Sequence, residues 1–193
     1  DPYSPLEGEL KDIRKDLQLY DSDLLFIQIG QLSDRKGTLE ILDAIAMMND
    51  GELDCKYFFF AGKVVRDISE SFYEKVTALT DRGVHIYVKD EFVSFEFLNS
   101  ICASCDCMFT PYKNTCQSSG AIGYAAQFGK PVIGPLRGLL GNLISHYRLG
   151  YQIKDITAES LFRAIVDFKR MPVPDDYVRD NQLKDFLKIC LNN

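Results

Sequence analysis

The chain has 193 residues, of which 46% are hydrophobic and 26% are charged, and this composition is typical of a single globular domain. Its formal net charge of -6 argues against a nucleic-acid partner, because such partners are bound by strongly basic surfaces. No apolar run approaches the roughly 20 residues of a membrane-spanning helix. The first residues show no secretory leader either, so we expect a cytoplasmic location.

Apolar runs alternate with amphipathic stretches along the chain. Residues 24–30 form a nearly continuous apolar run that ends in Gly30, which is typical of a strand buried on both faces of a parallel sheet. Apolar residues at helical spacing follow, and residues 49–51 (Asn-Asp-Gly) predict the end of that helix. A second strand is predicted at residues 57–61 and a second helix at residues 66–80.

The same alternation continues to the end of the chain. It predicts further strands at residues 84–88, 107–110 and 131–133. Helices are predicted at residues 94–102, 118–128, 139–147, 158–169 and 176–191.

This pattern predicts an α/β fold, a Rossmann-like doubly wound parallel sheet with helices on both faces, because parallel neighbours can only be joined by crossovers. No linker-like segment divides the chain, so we expect one domain over residues 1–193. Residues 1–20 form a lead-in to it, and the helix at 176–191 flanks it. In such sheets ligands bind at the carboxyl ends of the strands, so function is expected in the loops that follow them.

The six cysteines do not form a recognisable metal motif. Cys102, Cys105 and Cys107 are close in sequence, but a zinc site needs a fourth ligand, and His85 and His146 lie in unrelated segments. We therefore expect buried thiols, no metal site and, in a cytoplasmic protein, no disulfide.

The loop after the first strand, residues 30–37, carries the adjacent cations Arg35 and Lys36 in front of a helix. Such a loop can hold phosphate, because the free amides of a helix start reinforce the positive charge. Neither a Walker loop nor a G-x-G-x-x-G motif is present, which disfavours nucleoside triphosphatase and dinucleotide-binding functions. A solvated turn is the alternative interpretation.

The loop after the fourth strand ends in Ser118, Ser119 and Gly120 at the start of a helix. Serine hydroxyls can cap the helix and glycine allows close approach, so this segment could cradle a pyrophosphate. An ordinary serine N-cap is the alternative. Two candidate phosphate loops at one edge of a sheet are more informative than either alone.

Several motifs in this order and spacing resemble the C-terminal half of a GT-B glycosyltransferase of family 4 type, also called glycosyl transferases group 1. The resemblance covers about residues 20–170 and rests on a strand ending in Gly30, then Leu32-Ser33-x-x-Lys36-Gly37, Phe60-Ala61-Gly62, Thr110-Pro111-Tyr112 and Gly129-Lys130-Pro131-Val132-Ile133-Gly134-Pro135.

The resemblance implies that the chain is the donor-binding half of an enzyme that transfers a sugar from a nucleoside diphosphate sugar, with retention, to a saccharide or lipid acceptor. It implies that an N-terminal half, absent from this chain, binds the acceptor and allows peripheral membrane association. Without that half we expect the chain to be inactive. The resemblance further implies a role in polysaccharide biosynthesis, with no cofactor and no metal.

Position by position, the resemblance implies that Lys36 contacts the donor diphosphate. Residues 135–142 resemble the loop that closes over the sugar, and Arg137 on this loop is expected to assist the reaction. These are the expected catalytic residues. The expected donor-binding residues are Gly30, Gln31, Arg35, Lys36, Gly62, Lys89, Gln117, Ser118, Ser119, Gly120 and Tyr124.

The chain also departs from the family pattern. Gln31 stands where the family usually has arginine, and Cys116 and Tyr124 stand where it usually has two glutamates. Gln117 or Glu91 could supply the missing polar contacts. Two functions therefore stay open: a glycosyltransferase with a divergent donor site, and a non-catalytic module with a degenerate site that binds a nucleotide sugar or a protein.

Overall fold

A computed structural model describes residues 9–116 and 119–182 of the chain. Within these ranges six strands form one sheet, and every neighbouring pair in it is parallel. The strands are β1 Leu24–Ile29, β2 Lys56–Ala61, β3 His85–Lys89, β4 Cys107–Phe109, β5 Val132–Pro135 and β6 Gly150–Ile153. Their order is β3-β2-β1-β4-β5-β6, so the winding direction reverses between β1 and β4, as in a doubly wound sheet.

Helices cover both faces of the sheet, as predicted. Those of the described residues are α1 Ile13–Asp16, α2 Thr38–Met47, α3 Asp50–Leu53, α4 Arg66–Asp81, α5 Phe95–Ser104, α6 Gly120–Gln127, α7 Gly138–His146, α8 Ala158–Val166 and α9 Asp176–Asp180, with a 3₁₀ turn at Asp34–Lys36. Buried residues of α2, α4 and α8 pack on one face, and those of α1, α5, α6, α7 and α9 pack on the other. No described helix is both long and apolar enough to cross a bilayer.

The central strand β1 explains why its sequence is apolar throughout. Its side chains alternate between the faces, with Leu25 and Ile27 in one core and Phe26 in the other. The Phe26 ring stacks at 5.6 Å on both Phe58 of β2 and Phe109 of β4. Two aromatic-rich cores therefore hold the middle of the sheet rigid.

Three local predictions need correction. Residues 49–51 do not simply end a helix, because Asn49 forms a capping box with Glu52 and starts the short helix α3. The edge strand β6 was not predicted, and β5 extends to Pro135 rather than ending at residue 133. Of the helix predicted at 176–191, the structure shows α9 at Asp176–Asp180, and residues 183–191 lie outside the described part.

The cysteines within the described ranges are all free thiols. Cys102, Cys105 and Cys107 are buried between helices and sheet, and burial raises the pKa of each thiol. Among the described residues no group of histidine, cysteine and carboxylate side chains is arranged to hold a metal ion.

One carboxylate links the segments before β1 and after α8 to each other and to the sheet. Asp106, just before β4, accepts hydrogen bonds from Arg14 (2.8 Å), Arg170 (2.6 Å) and the backbone N–H of Leu25 (2.8 Å). The described part of the lead-in, residues 9–20, is therefore packed against the domain.

Candidate functional site

A cleft of about 370 Å³ opens at the carboxyl edge of the sheet, where the strand order reverses. The loops after β1, β2, β3 and β4 line it together with the start of α6. Seven of the predicted donor-binding residues meet there: Gly30, Gln31, Lys36, Gly62, Ser119, Gly120 and Tyr124. The remaining lining residues are Ile29, Lys63, Glu91, Phe92, Val93, Leu98, Tyr112 and Ala121.

Another cavity of about 380 Å³ lies at the opposite edge of the sheet. Three carboxylates, Asp23, Asp50 and Asp54, outnumber the one arginine, Arg82, in its wall, so the excess of negative charge disfavours a phosphate group there. The chemistry that the sequence predicts therefore belongs to the cleft at the carboxyl edge.

Two glycines in the cleft are required by space as well as by backbone conformation. A Cβ atom on Gly62 (φ 143°) would lie 1.9 Å from the carbonyl oxygen of Gly30, because the loops after β1 and β2 touch there. A Cβ atom on Gly30 (φ 79°) would lie 2.8 Å from the Lys36 Nζ. Both positions favour glycine, and the second leaves room for an ammonium group at the base of the cleft.

Lys36 supplies a half-buried positive charge at this base. Its Nζ donates to the carbonyl oxygen of Ile29 at 3.0 Å, and no carboxylate of the described residues lies within salt-bridge distance of it. Burial, reinforced by the charge of Arg35, lowers the pKa of Lys36 to about 8. A desolvated ammonium group without a counter-charge is a strong attractor for an anion.

Tyr112 connects this cation to the helix start, a role that the sequence did not predict. Its ring is buried, with the Lys36 Nζ 5.4 Å and the Arg35 guanidinium 5.7 Å from the ring centroid. The Ser119 hydroxyl donates to the Tyr112 hydroxyl at 3.0 Å and accepts from the N–H of Ala121, thereby capping α6. The only signal was the Thr110-Pro111-Tyr112 motif, which does not reveal what the ring contacts.

Lys113 ties the two predicted phosphate loops together. Its Nζ lies 2.5 Å from Asp34 and 2.7 Å from Glu40, and its backbone N–H donates to the carbonyl of Arg35 at 2.9 Å. The loop after β4 is therefore held against the loop after β1, which fixes Lys36 relative to the start of α6.

The far end of the cleft, next to β3, is apolar and aromatic. Phe92 is 89% exposed, and Val93 and Leu98 line the wall beside it. Glu91 stands at the rim and pairs with Lys89 at 2.5 Å. The cleft thus has a cationic end at β1 and β4 and an apolar end at β3.

Three predicted residues do not line the cleft. The Arg35 guanidinium lies 5.7 Å from the centroid of the Tyr112 ring. Lys89 pairs with Glu91, and its Nζ lies 5.0 Å from the centroid of the Phe97 ring. Arg137 is exposed at the N-cap of α7, on the loop after β5. Their assigned roles stay predictions, and the predicted residues Gln117 and Ser118 lie outside the described part of the chain.

The structure also shows where the two residues lie that stand at the glutamate positions of the resembling family. Cys116 is exposed on the loop before α6, and its backbone N–H donates to the Asn114 side chain at 3.1 Å. Tyr124 is 9% exposed and lines the cleft from α6. Neither position contributes a carboxylate.

The six-stranded parallel sheet with a cleft at its switch point defines a Rossmann-like α/β domain. Comparison with solved structures shows that this is the fold of the C-terminal half of GT-B glycosyltransferases. A similar structure is the C-terminal domain of the glycosyl transferase group 1 family protein LpcC from Francisella tularensis, with 13% identity, a TM-score of 0.64, and 90% of this chain and 84% of that domain covered.

Two longer enzymes share the fold. The Anabaena protein HepE, solved with UDP and glucose, is 19% identical over 80% of this chain and 40% of its own length, with a TM-score of 0.64. An α,α-trehalose-phosphate synthase (UDP-forming) from Burkholderia xenovorans is 12% identical over 94% of this chain and 46% of its own, with a TM-score of 0.71. The chain thus spans less than half of these proteins. No protein-family model and no curated protein sequence matches it.

Proposed function

We propose that the cleft binds a nucleoside diphosphate sugar and that the chain is the donor-binding half of a glycosyltransferase. The observation that carries this proposal is the shared cleft of Lys36, the start of α6 and the apolar wall at Phe92. The cationic end suits a diphosphate, and the apolar end suits a base. The glycosyltransferases with the same fold support the proposal, since HepE is described in complexes with UDP and with UDP-glucose.

In the proposed reaction the bond between the anomeric carbon and the donor diphosphate breaks, and its electron pair goes to the departing phosphate oxygen. The Lys36 ammonium neutralises that charge, and the helix dipole adds partial positive charge at the start of α6. The acceptor oxygen forms the new glycosidic bond, and its proton passes to the departing diphosphate. We further assign Arg137 an assisting role from the loop after β5, and retention of the anomeric configuration.

The cationic end supplies enough positive charge that we expect the donor to bind without a metal or another cofactor. The acceptor, a saccharide or a lipid, would contact an N-terminal half, which could also associate peripherally with a membrane. We further propose a role in polysaccharide biosynthesis in the cytoplasm.

The proposal is tested by calorimetric titration of the chain with UDP, GDP, ADP and CMP and with their common sugar conjugates. We expect selective binding of one base. A ligand at a hundred times its dissociation constant should also stabilise the fold by about 2.7 kcal/mol, which thermal unfolding detects. Absence of binding to every one of these nucleotides at millimolar concentration would refute a donor site in this cleft.

A second candidate function is a module that binds a nucleotide sugar without turning it over. It is favoured by Cys116 and Tyr124 at the two positions where the resembling family has glutamates. Consumption of the donor by the protein that carries both halves distinguishes the candidates. Donor binding by this chain without turnover by the two-domain protein would favour the module.

Replacing Tyr112 with phenylalanine tests the link between Lys36 and α6. The variant keeps the ring beneath the cations but removes the hydroxyl that accepts from Ser119 at 3.0 Å. Because a neutral hydrogen bond contributes about 0.5–1.5 kcal/mol, we expect pyrophosphate affinity to fall about 2- to 10-fold. Tyr151→Phe is the matched control, because it removes the hydroxyl that donates to the carbonyl of Lys169, away from the cleft. Equal affinities of the two variants would contradict the role of Tyr112.

Replacing Phe92 with alanine tests the base end. Stacking of a base on an aromatic ring is worth about 1 kcal/mol or more, so we expect nucleoside diphosphate affinity to fall about 5-fold or more. Pyrophosphate affinity should not change, because it has no base. Phe95→Ala is the control, since Phe95 is 63% exposed nearby but does not line the cleft. A similar loss for pyrophosphate would show that Phe92 supports the loop and does not contact a base.

A further inference from the structure

Glu91 is the one acidic side chain among the described residues that line the cleft. The other charged lining residues are Lys36 and Lys63, and the start of α6 adds partial positive charge. A carboxylate in a cleft that attracts anions works against phosphate binding. It can, however, accept hydrogen bonds from ligand groups that donate them, which ionised phosphate groups do not.

The sheet order separates Glu91 from the phosphate end. Lys36 follows β1 and the start of α6 follows β4, whereas Glu91 follows β3, two strands away from β1. With neighbouring strands about 4.8 Å apart, this separation is roughly 10 Å. If the phosphates of a nucleoside diphosphate lie at Lys36 and its base lies at Phe92, the ribose between them lies beside the loop that carries Glu91.

The Glu91 carboxylate is restrained but remains accessible. Its Oε1 lies 2.5 Å from the Lys89 Nζ, which itself sits 5.0 Å above the Phe97 ring. The side chain of Glu91 is still 60% exposed. The ion pair thus holds the carboxylate at the rim, where a ligand in the cleft can reach it.

We propose that Glu91 accepts hydrogen bonds from the vicinal hydroxyls of the ribose and makes the cleft selective for ribonucleotides. This inference rests on the proposed function. Two hydroxyls can donate to the two oxygens of one carboxylate, and such bonds to a charged acceptor are stronger than those between neutral groups. The same carboxylate repels a ribose that carries a 2′- or 3′-phosphate.

The test is a titration of the chain with UDP, or with whichever nucleoside diphosphate binds best, and with its 2′,3′-dideoxy analogue. The unsubstituted chain should prefer the ribonucleotide about 10-fold or more. Glu91→Gln should reduce this preference to about 2-fold, because a neutral amide replaces the charged acceptor with little change in shape. Glu96→Gln is the control: Glu96 lies on α5 outside the cleft and pairs with Lys11, so this variant should keep the full preference.

Pyrophosphate provides the second readout. Glu91→Gln should bind it as well as the unsubstituted chain or slightly better, because a negative charge near the cleft has been removed. Undiminished ribose preference in Glu91→Gln, or equal binding of both nucleotides by the unsubstituted chain, would overturn the inference while leaving the donor site intact. Failure of every nucleotide to bind would instead overturn the proposed function, and this inference with it.

Discussion

Replacing Lys36 with methionine should weaken nucleoside diphosphate binding about 10- to 100-fold. The variant keeps a linear side chain of similar volume but removes the ammonium group, which lies at the base of the cleft without a carboxylate partner among the described residues. Hydrogen bonds to a charged group contribute about 1.5–3 kcal/mol, and each 1.4 kcal/mol is a factor of ten in affinity. Calorimetric titration at pH 7 measures the loss directly.

The pH dependence provides a sharper signature of the same group. The pKa of Lys36 in the free protein is about 8, so the ammonium is charged at pH 7 and loses its proton as the pH rises through 8. We therefore expect nucleotide affinity to fall between pH 7 and pH 9 in the unsubstituted chain. The Lys36→Met variant should lack this fall, because it has no proton to lose there.

The same pKa predicts an effect on stability in the opposite direction. The unfolded chain binds a proton at Lys36 up to its ordinary pKa of 10.5, whereas the folded chain releases it near 8. Between these values the unfolded state holds more protons, so the contribution of Lys36 to the free energy of unfolding rises with pH. At pH 7 its full desolvation cost is present, and Lys36→Met should melt at a higher temperature than the unsubstituted chain without ligand.

Lys75→Met is the matched control for these measurements. It removes one positive charge from a surface ion pair with Asp43, away from the cleft, and so changes the net charge equally. We expect its nucleotide affinity and its pH profile to equal those of the unsubstituted chain. The assignment of Lys36 fails if the two variants lose the same affinity, or if Lys36→Met retains the fall between pH 7 and pH 9.

Replacing Asp106 with alanine should lower the free energy of unfolding by about 3 kcal/mol. The carboxylate is only 10% exposed and accepts from Arg14, Arg170 and the backbone of Leu25. Removal of one partner from a buried ion pair costs about 3–5 kcal/mol, and we take the lower end because Arg170 is 48% exposed. For a domain of this size the melting temperature should fall by roughly 6–12 °C.

Asp43→Ala tests whether burial is responsible for this cost. Asp43 also pairs with a basic side chain, Lys75, but it is 44% exposed, so its removal should cost less than about 1 kcal/mol. Urea denaturation of both variants measures the difference. Equal costs would show that Asp106 does not hold the lead-in and the segment after α8 to the sheet.

The sequence predicted the layout of the fold because the signals for it are local. The apolar run before Gly30 and the helical spacing in α2 and α4 depend only on near neighbours, and so does the alternation that implies crossovers. The edge strand β6 was missed for a physical reason. It has only four residues, so the alternation of Tyr151 and Ile153 with Gly150 and Gln152 is too short to stand out in the sequence, and its pairing with β5 is what makes it a strand.

Some residues of the candidate site could be predicted from the sequence in the same way, and others could not. Lys36, Gly62 and Gly120 could be found from the sequence, because each follows a strand in a recognisable motif and the carboxyl ends of parallel strands meet at one edge. The sequence by itself thus predicted the fold class, which the structure confirms, and it indicated both the edge of the sheet and the anionic ligand that we propose for the cleft.

Only the tertiary structure decided how these residues act together. Contacts between segments far apart in the chain place Tyr112 beside Lys36, Lys113 between the two loops and Glu91 at the β3 end of the cleft. The same holds for Asp106, whose partners Arg14 and Arg170 are 92 and 64 residues away in sequence. Burial and pairing of a charge are properties of the folded surroundings, so no local pattern of residues can specify them.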